Sequence, residues 1–457
     1  MLFDREISTE AYAMIRFGMG YPVRKAPVDA AAMLDRLNGP DQMAKAVPFL
    51  SFEDGLQLGR ELRVANRIKN RGGDKSKLVN ARKAMNEAFT QGLIDDFRRA
   101  LETDDPFRER LHAFWVNHFT AKPNSRFMRA GFPGYASEAI RAHMTGHFAE
   151  MLKATVTHPF MLMYLDQSES VGPNSEYGQF KRRGLNENLA REVLELHSLG
   201  ADGGYSQADV TQFAELLTGL NGSIKRGFSF LPARAEPGAE TILGKSYGGN
   251  GKAKLADIHR ALEDLAVHPS TARHISFKLA AHFVADAPDA DLVAHMTDAY
   301  RASDGHLATV YAAMLDHPAA WSGFGAKVKR PLELMITAVR AIGAEAADMD
   351  RLTPARAQKA LIKPLKSMGQ PYLAPPGPDG WPDEAADWVH AHGMAGRIGW
   401  VLALAQRAPR YIKDPRAFAQ AALGDAAGAR VRWAAGVAET RATGIALVLA
   451  SAEFNRR

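Results

Sequence analysis

The sequence of 457 residues contains no cysteine. Disulfide bonds, thiolate nucleophiles, cysteine-ligated zinc and iron–sulfur clusters are therefore excluded, and a metal would need histidine, carboxylate or carbonyl ligands. No stretch approaches the apolar length of about 20 residues that a membrane-spanning helix requires. A GxSxG nucleophile elbow is absent, and the glycines at 200–204 lack the strand and spacing of a phosphate-binding loop. Any chemistry must therefore come from other residue types.

An excess of charge of one sign is also missing. The chain has 57 Lys and Arg against 51 Asp and Glu, a net charge of +6. Positive charge is concentrated between Arg60 and Lys83, a segment without aromatic residues on which bases could stack. We interpret this segment as a solvated helix pair around Gly72 and Gly73, with a nucleic-acid or anionic-surface patch as the alternative. We therefore expect no nucleic-acid partner.

The beginning of the chain lacks the pattern of a secretory leader. Its first residues include the acids Asp4 and Glu6 and form no long apolar run, which is not typical of a signal peptide. We expect a cytoplasmic protein, or a periplasmic one if a leader has been removed.

Amphipathic helical patterns fill most of the chain. Asp105 followed by Pro106 is typical of a helix start, and Ser206 with Asp209 resembles a capping box. Apolar periodicity and such caps predict helices at 29–37, 77–101, 106–120, 135–156, 185–199 and 206–217, with more from 254 to beyond 342. The fold class predicted is mainly α, a large multi-helix domain.

A β pattern is convincing only at residues 226–247. Phe228 and Phe230 alternate there, and a second short apolar run follows, which predicts a small β-hairpin insertion. We expect a main helical domain at 1–384 that contains this insertion. A C-terminal helical subdomain at 385–457 would pack on it, after a loop rich in proline and glycine at 364–383.

His-Pro pairs recur at positions 158, 268 and 317, each between two helical patterns. We interpret the histidine as the end of one helix and the proline as the start of the next. A ligand role for these histidines is the alternative.

Seven segments together resemble one protein family. They are RERLHAFWVNHFT at 108–120, THPFMLMYLD at 157–166, NENLAREVLELHSLGADGGYSQADV at 186–210, FAELLTGL at 213–220, HPSTARHISFKLAAHFV at 268–284, KVKRPLEL at 327–334 and MGQPYLAPPGPDGW at 368–381. In their order and spacing the chain resembles the domain of unknown function 1800 family, uncharacterised bacterial proteins, along nearly its whole length. The resemblance implies a helical fold and supplies no activity. Relatives often carry a histidine where this chain has Val116, which argues against a metal role for the helix at 106–120.

The helix predicted at 185–199 carries the residues most typical of a catalytic site. At about 100° per residue, Asn188, Glu192 and Glu195 fall within an arc of roughly 60° on one face. Carboxylates placed in this way can act as general acid and base, or can bind a hard divalent cation. The alternative is a solvated ion-pair ladder formed by Glu187, Arg191 and Glu195, which follow one another every fourth residue.

Two polar residues, Asn186 and His197, fall on the opposite, apolar arc of the same helix. Without buried partners each would cost roughly 1–3 kcal/mol. A satisfied core histidine is one interpretation of His197, and a functional histidine is the other.

His118 lies on the aromatic helix at 106–120 and is a candidate metal ligand together with Glu192 and Glu195. The spacing matches neither HExxH nor the Glu-x-x-His of helical di-iron proteins. We predict that the two helices pack against each other, because their polar groups need partners.

Two hypotheses follow. The first is an enzyme with acid/base chemistry of a hydrolase-like kind, assisted by a divalent metal, that acts on a small molecule or polymer. The second is a non-catalytic binding or scaffold protein in which the polar motif is a structural network. For the first, we assign as catalytic Glu192, Glu195 and His197, as metal ligands His118, Glu192 and Glu195, and as substrate-binding residues Arg182, Arg183, Tyr205 and Trp381.

Overall fold

The computed structural model describes residues 6–21, 27–181, 184–249, 251–408 and 412–457. In the first half the α-helices are α1 Thr9–Ala11, α2 Ala30–Asn38, α3 Gln42–Ala46, α4 Phe52–Asn70, α5 Lys75–Glu102, α6 Pro106–His118, α7 Phe132–Tyr135, α8 Phe148–Val156, α9 Pro159–Tyr164, α10 Glu176–Lys181, α11 Asn188–Glu192 and α12 Gln207–Leu216. In the second half they are α13 Leu255–Ala266, α14 Pro269–Phe283, α15 Ala290–Ala302, α16 Leu307–Asp316, α17 Pro331–Ala341, α18 Ala346–Asp350, α19 Pro354–Ala357, α20 Lys363–Ser367, α21 Ala391–Ala405, α22 Pro415–Leu423, α23 Ala429–Val437, α24 Arg441–Ala450 and α25 Ala452–Asn455. The predicted mainly α fold is confirmed.

Short π-helical and 3-10 segments join these helices. The π-helical segments are Tyr12–Phe17, Ala136–Ile140, Val193–His197 and Gln358–Ile362. The 3-10 segments are Arg129–Gly131, Arg141–His143, Gln167–Glu169, Pro232–Arg234, Pro318–Trp321, Ala385–Asp387 and Gly424–Ala426.

Side-chain caps explain where several helices begin. The carboxylate of Asp105 accepts a hydrogen bond from the backbone N–H of Arg108, and Pro106 follows as the first helical residue. Ser206 and Asp209 form the predicted capping box, in which each side chain accepts the other's backbone N–H. These contacts satisfy backbone donors that the first helical turn leaves free.

The histidines of the His-Pro pairs also cap helices. The Nδ1 atoms of His158, His268 and His317 each accept the backbone N–H two residues later, all at 3.2 Å. Each histidine therefore starts the following helix, with proline at its first position. The predicted proline role is confirmed. His158 and His268 belong to the start of the second helix, whereas His317 both ends α16, as predicted, and caps the 3-10 segment Pro318–Trp321.

One predicted helix is wrong. The pattern at 135–156 predicted a single helix, but the chain leaves α7 through short π-helical and 3-10 turns and begins α8 only at Phe148. Long-range contacts fix the break: Tyr311 donates to the carbonyl oxygen of Met144 at 2.8 Å, and the N–H of Phe148 donates to the carbonyl of Gly305 at 2.9 Å. Partners distant in sequence therefore override the local periodicity.

The β insertion consists of two hairpins instead of one. Strands β1 Leu220–Ser223 and β2 Gly227–Phe230 pair antiparallel, as do β3 Gly238–Ile242 and β4 Lys245–Gly249. The insertion starts earlier than predicted, because Leu220 pairs with Phe230 and begins the first hairpin.

Two large hydrophobic clusters form the interior. The first is built from residues between 13 and 320 and includes Trp115 of α6. The second combines α17 and the C-terminal helices with Leu93 and Phe97 of α5 and with Met14. Residues near the N-terminus thus pack with the C-terminal helices, and the boundary near 385 stays a prediction.

Helices α4 and α5 hold the basic segment 60–83 and are joined through Gly72, which adopts a φ of +83°. The expected helix pair is therefore present. Within the described ranges, no helix combines the length and apolar character that crossing a membrane requires.

Candidate functional site

Helix α6 is fixed from inside the first hydrophobic cluster. Trp115 is fully buried, and its indole N–H donates to Tyr311 at 2.6 Å. Tyr311 in turn donates to the carbonyl oxygen of Met144. This chain of hydrogen bonds fixes the rotation of α6 and sets the direction of His118, three residues after Trp115.

The segment predicted as a helix at 185–199 is α11 followed by the π-helical turn 193–197. Asn186 precedes the helix, where its amide donates to the carbonyl oxygens of Leu165 and Asp166, both at 3.1 Å. The side chain of Ser198 donates to the carbonyl of Val193 at 2.6 Å and ends the turn. The prediction that Asn186 lies on the apolar arc of this helix is therefore wrong, because the helix starts after it.

The two segments meet at their histidines, as predicted. The Nε2 of His118 lies 3.1 Å from the carbonyl oxygen of His197, and the ring centroids are 6.2 Å apart. Both side chains are buried, with 2% and 1% exposure. Among described residues neither Nδ1 atom has a hydrogen-bond partner. The contact therefore joins the helices but leaves one ring nitrogen of each imidazole unsatisfied.

A third histidine and a lysine complete this cluster. The ring of His274 lies 6.4 Å from that of His118, and its Nε2 is 3.3 Å from the carbonyl oxygen of Leu196. Burial, followed by the charge of Lys278, lowers the pKa of His197 to about 3 and that of His274 to about 4. Burial also lowers the pKa of Lys278 itself. The imidazoles are therefore neutral at physiological pH.

Sequence analysis missed Lys278. His274, Lys278 and His282 recur every fourth residue on α14, so they share one face of a helix that packs beside α6. His282 Nδ1 lies 2.8 Å from the carboxylate of Asp383, which also pairs with Arg330 at 2.7 Å. The four-residue spacing was visible in the sequence, but nothing local indicated which helix this face meets.

Glu192 and Glu195 lie near this cluster on a partly open surface. Both are partly exposed, and neither forms a hydrogen bond or ion pair with any described residue. Burial, Glu195 and Asp379, in that order, raise the pKa of Glu192 to about 7. Glu187, by contrast, pairs with Arg191 at 3.1 Å and accepts from Thr211 at 2.8 Å. The predicted ladder thus uses Glu187 and leaves out Glu195.

The loop that carries Asp379 is attached to the end of α6. The amide of Asn117 donates to the carbonyl oxygen of Trp381 at 3.0 Å, and the Trp381 N–H donates back to Asn117 Oδ1 at 2.8 Å. Gly380 has a φ of +83°, and a Cβ there would lie 2.6 Å from the hydroxyl of Thr120. Glycine is therefore required where the loop meets the helix.

Two tyrosines border the carboxylates. Burial, Glu192 and Asp379 raise the pKa of Tyr164 to about 12, and burial and then Glu195 raise that of Tyr205. Tyr205 and Trp381 are both partly exposed. We refer below to Glu192, Glu195, Asp379, Tyr164 and Tyr205 as the acidic cleft.

Comparison with known proteins gives a family. Residues 13–456 match the family described as "Protein of unknown function (DUF1800)". The chain belongs to this family. The chain matches no curated protein and no solved structure. The match covers nearly the whole chain, and the family description states no activity.

The metal ligand set expected for this DUF1800 protein is not assembled. No group of three or more His, Asp or Glu in the described part of the chain is placed to hold a metal ion. His118 contacts the backbone of His197, whereas Glu192 and Glu195 are partly exposed and form no hydrogen bond or ion pair with a described residue. Arg182 and Arg183, expected to bind substrate, lie outside the described residues.

Proposed function

We propose that the acidic cleft is an acid/base catalytic site of a hydrolase-like enzyme. One observation carries the proposal: two adjacent carboxylates, Glu192 and Glu195, lie half-buried without partners among the described residues, and one has a pKa of about 7. Burial and the nearby negative charge disfavour ionisation of Glu192, so its carboxyl keeps a proton close to neutral pH. A carboxyl that holds a proton near neutral pH, beside a second carboxyl group, is what general acid and base catalysis needs.

Glu192 is assigned as the general acid, because its carboxyl is partly protonated at neutral pH. Glu195 is assigned as the base that activates water or a substrate hydroxyl. His118 and His197 are buried and neutral, so we assign them positioning roles that fix the two helices relative to each other. Catalytic proton transfer by His197 is not part of the proposal.

Tyr205 and Trp381 are assigned to substrate binding at the rim. A partly exposed tyrosine and tryptophan can stack on rings and donate hydrogen bonds. A small polar molecule or one unit of a polymer fits this combination. We assign no metal ligands, because the described residues do not assemble a ligand set.

The competing hypothesis, a structural polar network, requires that the polar groups satisfy one another. Among the residues that the structure describes, the Nδ1 atoms of His118 and His197 and the carboxylates of Glu192 and Glu195 have no partner, which argues against it. A network that only held the fold would leave fewer groups unsatisfied.

The test compares Glu192→Gln and Glu195→Gln with Glu187→Gln, a control carboxylate at the N-cap of the same helix that is paired with Arg191. Wild-type protein is screened against chromogenic esters, amides, phosphodiesters and glycosides. We expect turnover of one class, with a loss of about 100-fold or more in each cleft variant and little change in the control. All variants should give wild-type circular dichroism.

Two results would overturn the proposal. One is an equal loss of turnover in the Glu187→Gln protein, because any removal of negative charge would then have the same effect. The other is no turnover of any class by wild type, together with cleft variants that unfold at lower temperature than wild type.

A further inference from the structure

A cavity of about 210 Å³ lies under the loop 370–375, between α5 and α6. Ala113, Val116 and Asn117 of α6 line one side of it, and Gly92 of α5 lines another. Ala113 is exposed although both its neighbours on the helix are buried, because it borders this space. Glu192 and Glu195 are not among the residues of the wall, so the cavity does not contain the proposed catalytic carboxylates, although Trp381 is assigned to both places.

Charged groups occur in the wall, but each is already paired. The pairs are Asp96 with Arg99 at 2.7 Å, Glu109 with Arg141 at 2.6 Å, Arg110 with Glu333 at 2.8 Å and Arg330 with Asp383 at 2.7 Å. A charged ligand would lose its hydration and find no opposite charge left over for it. The wall therefore favours a neutral occupant.

The remaining surface is largely aromatic and aliphatic. Phe49, Phe132, Tyr372 and Trp381 contribute rings, and Val116 contributes an aliphatic side chain. The guanidinium of Arg99 lies 3.7 Å from the ring centroid of Phe49, which fixes that ring at the wall. Such walls bind rings through apolar area and ring–ring contact.

Gln370 holds at the wall a hydrogen-bond donor without a partner among the described residues. The Nε and Nη2 of Arg330 and the Nε2 of His282 also have no hydrogen-bond partner there. Gln370 Oε1 accepts the backbone N–H of Leu332 at 2.7 Å, which fixes the orientation of the side-chain amide. Its NH2 group forms no hydrogen bond with the described parts of the chain. The nearby hydroxyl of Tyr372 is directed at Asp96 at 3.4 Å, so it is already engaged. Gln370 thus offers a donor to an acceptor on a ligand.

We propose that this cavity binds a neutral, ring-containing small molecule that carries one hydrogen-bond acceptor. Since an apolar cavity of about 150 Å³ holds benzene, this space fits roughly eight to ten non-hydrogen atoms. The ring packs among the aromatic side chains, and the acceptor, a carbonyl or ether oxygen, receives the amide N–H of Gln370.

The test uses four probes of nearly equal size with the full chain. Acetophenone has the ring and the acceptor, ethylbenzene has the ring alone, and benzoate and benzylammonium add a charge of either sign. Binding is measured by ligand-observed NMR titration. We expect acetophenone to bind best, ethylbenzene about threefold to tenfold more weakly, and both ions at least about tenfold more weakly than acetophenone.

Two variants locate the binding. Ala113→Leu fills the cavity and should weaken acetophenone binding at least about tenfold, whereas Ala294→Leu, at an exposed alanine of α15, should not change it. Gln370→Met should weaken acetophenone binding and leave ethylbenzene binding unchanged. Thermal unfolding of each variant confirms that it is folded.

The proposal is overturned if Ala113→Leu binds acetophenone as well as wild type does, or if benzoate or benzylammonium binds as tightly as acetophenone. If Gln370→Met weakens the binding of acetophenone and of ethylbenzene equally, the ligand does not need a hydrogen-bond acceptor. Because these measurements involve no turnover, they stand whether or not the acidic cleft is catalytic.

Discussion

The two sides of α6 hold charge in opposite ways. On the side of the cavity, Arg110 and Glu333 are paired at 2.8 Å, and the other wall charges are paired as well. Towards the acidic cleft, Glu192 and Glu195 have no partner among the described residues. Paired charges contribute to the fold, whereas unpaired ones cost stability and are retained for another reason. The comparison thus separates groups that stabilise from groups available for chemistry.

The largest expected effect comes from breaking a pair on the cavity side. Burial opposes ionisation of Glu333, but Arg110 and Arg457 outweigh it and lower its pKa to about 2. Glu333→Gln leaves these cations uncompensated and should lower the free energy of unfolding by about 3–5 kcal/mol. Urea unfolding at pH 7 measures this, with Glu195→Gln as the control. If Glu333→Gln lowers the free energy of unfolding by less than about 1 kcal/mol, the paired charges beside the cavity do not stabilise the fold as proposed.

A smaller effect of opposite sign is expected in the cleft. The pKa of Glu192 is raised from 4.5 to about 7 in the folded protein, so the wild type loses stability as the pH rises through this window. Glu192→Gln cannot ionise and escapes that loss. Allowing for the partial exposure of the group, its stability relative to wild type should increase by roughly 1–2 kcal/mol between pH 4.5 and pH 8.

Thermal or urea unfolding at the two pH values measures this difference. Glu187→Gln is the control, because its carboxylate is paired with Arg191 and should show no such gain. If Glu192→Gln becomes relatively less stable as the pH rises, the carboxylate is a stabilising one and the contrast fails.

The smallest expected effect separates the contributions that neighbouring carboxylates make to the raised pKa of Glu192. Its carboxyl carbon should titrate with a midpoint of about 7 in NMR of isotope-labelled protein. Glu195→Gln should lower this midpoint, and Asp379→Asn should lower it less, because Glu195 contributes more to the raised pKa than Asp379 does. A midpoint unaffected by both substitutions would mean that burial alone sets it.

Local signals allowed much of the helical framework to be predicted. Asp105 and Ser206 cap helices where the sequence placed them, since a cap depends on residues three positions apart. The break before Phe148 could not be predicted, because its partners at Gly305 and Tyr311 are distant in sequence. Tertiary contacts of this kind override the local helix propensity.

The site was predicted in part for the same reason. The spacing of Glu192 and Glu195 was sufficient to place them together, and the need for partners was sufficient to bring His118 to His197. Lys278 was missed because its role depends on which face α14 turns to α6. The cavity was missed because it exists only where the loop 370–375 crosses α5.

The histidine caps have a consequence for how the protein responds to acid. A capping Nδ1 must be free of a proton to accept the backbone N–H, and the pKa values of His158 and His268 are lowered, first of all by burial. The unfolded chain takes up protons at these rings more readily than the folded one does. Acidification below pH 6.5 therefore destabilises the starts of both α9 and α14, because their unfolding takes up protons. Both helix starts are thus destabilised by the same change in pH, with no contact between them required.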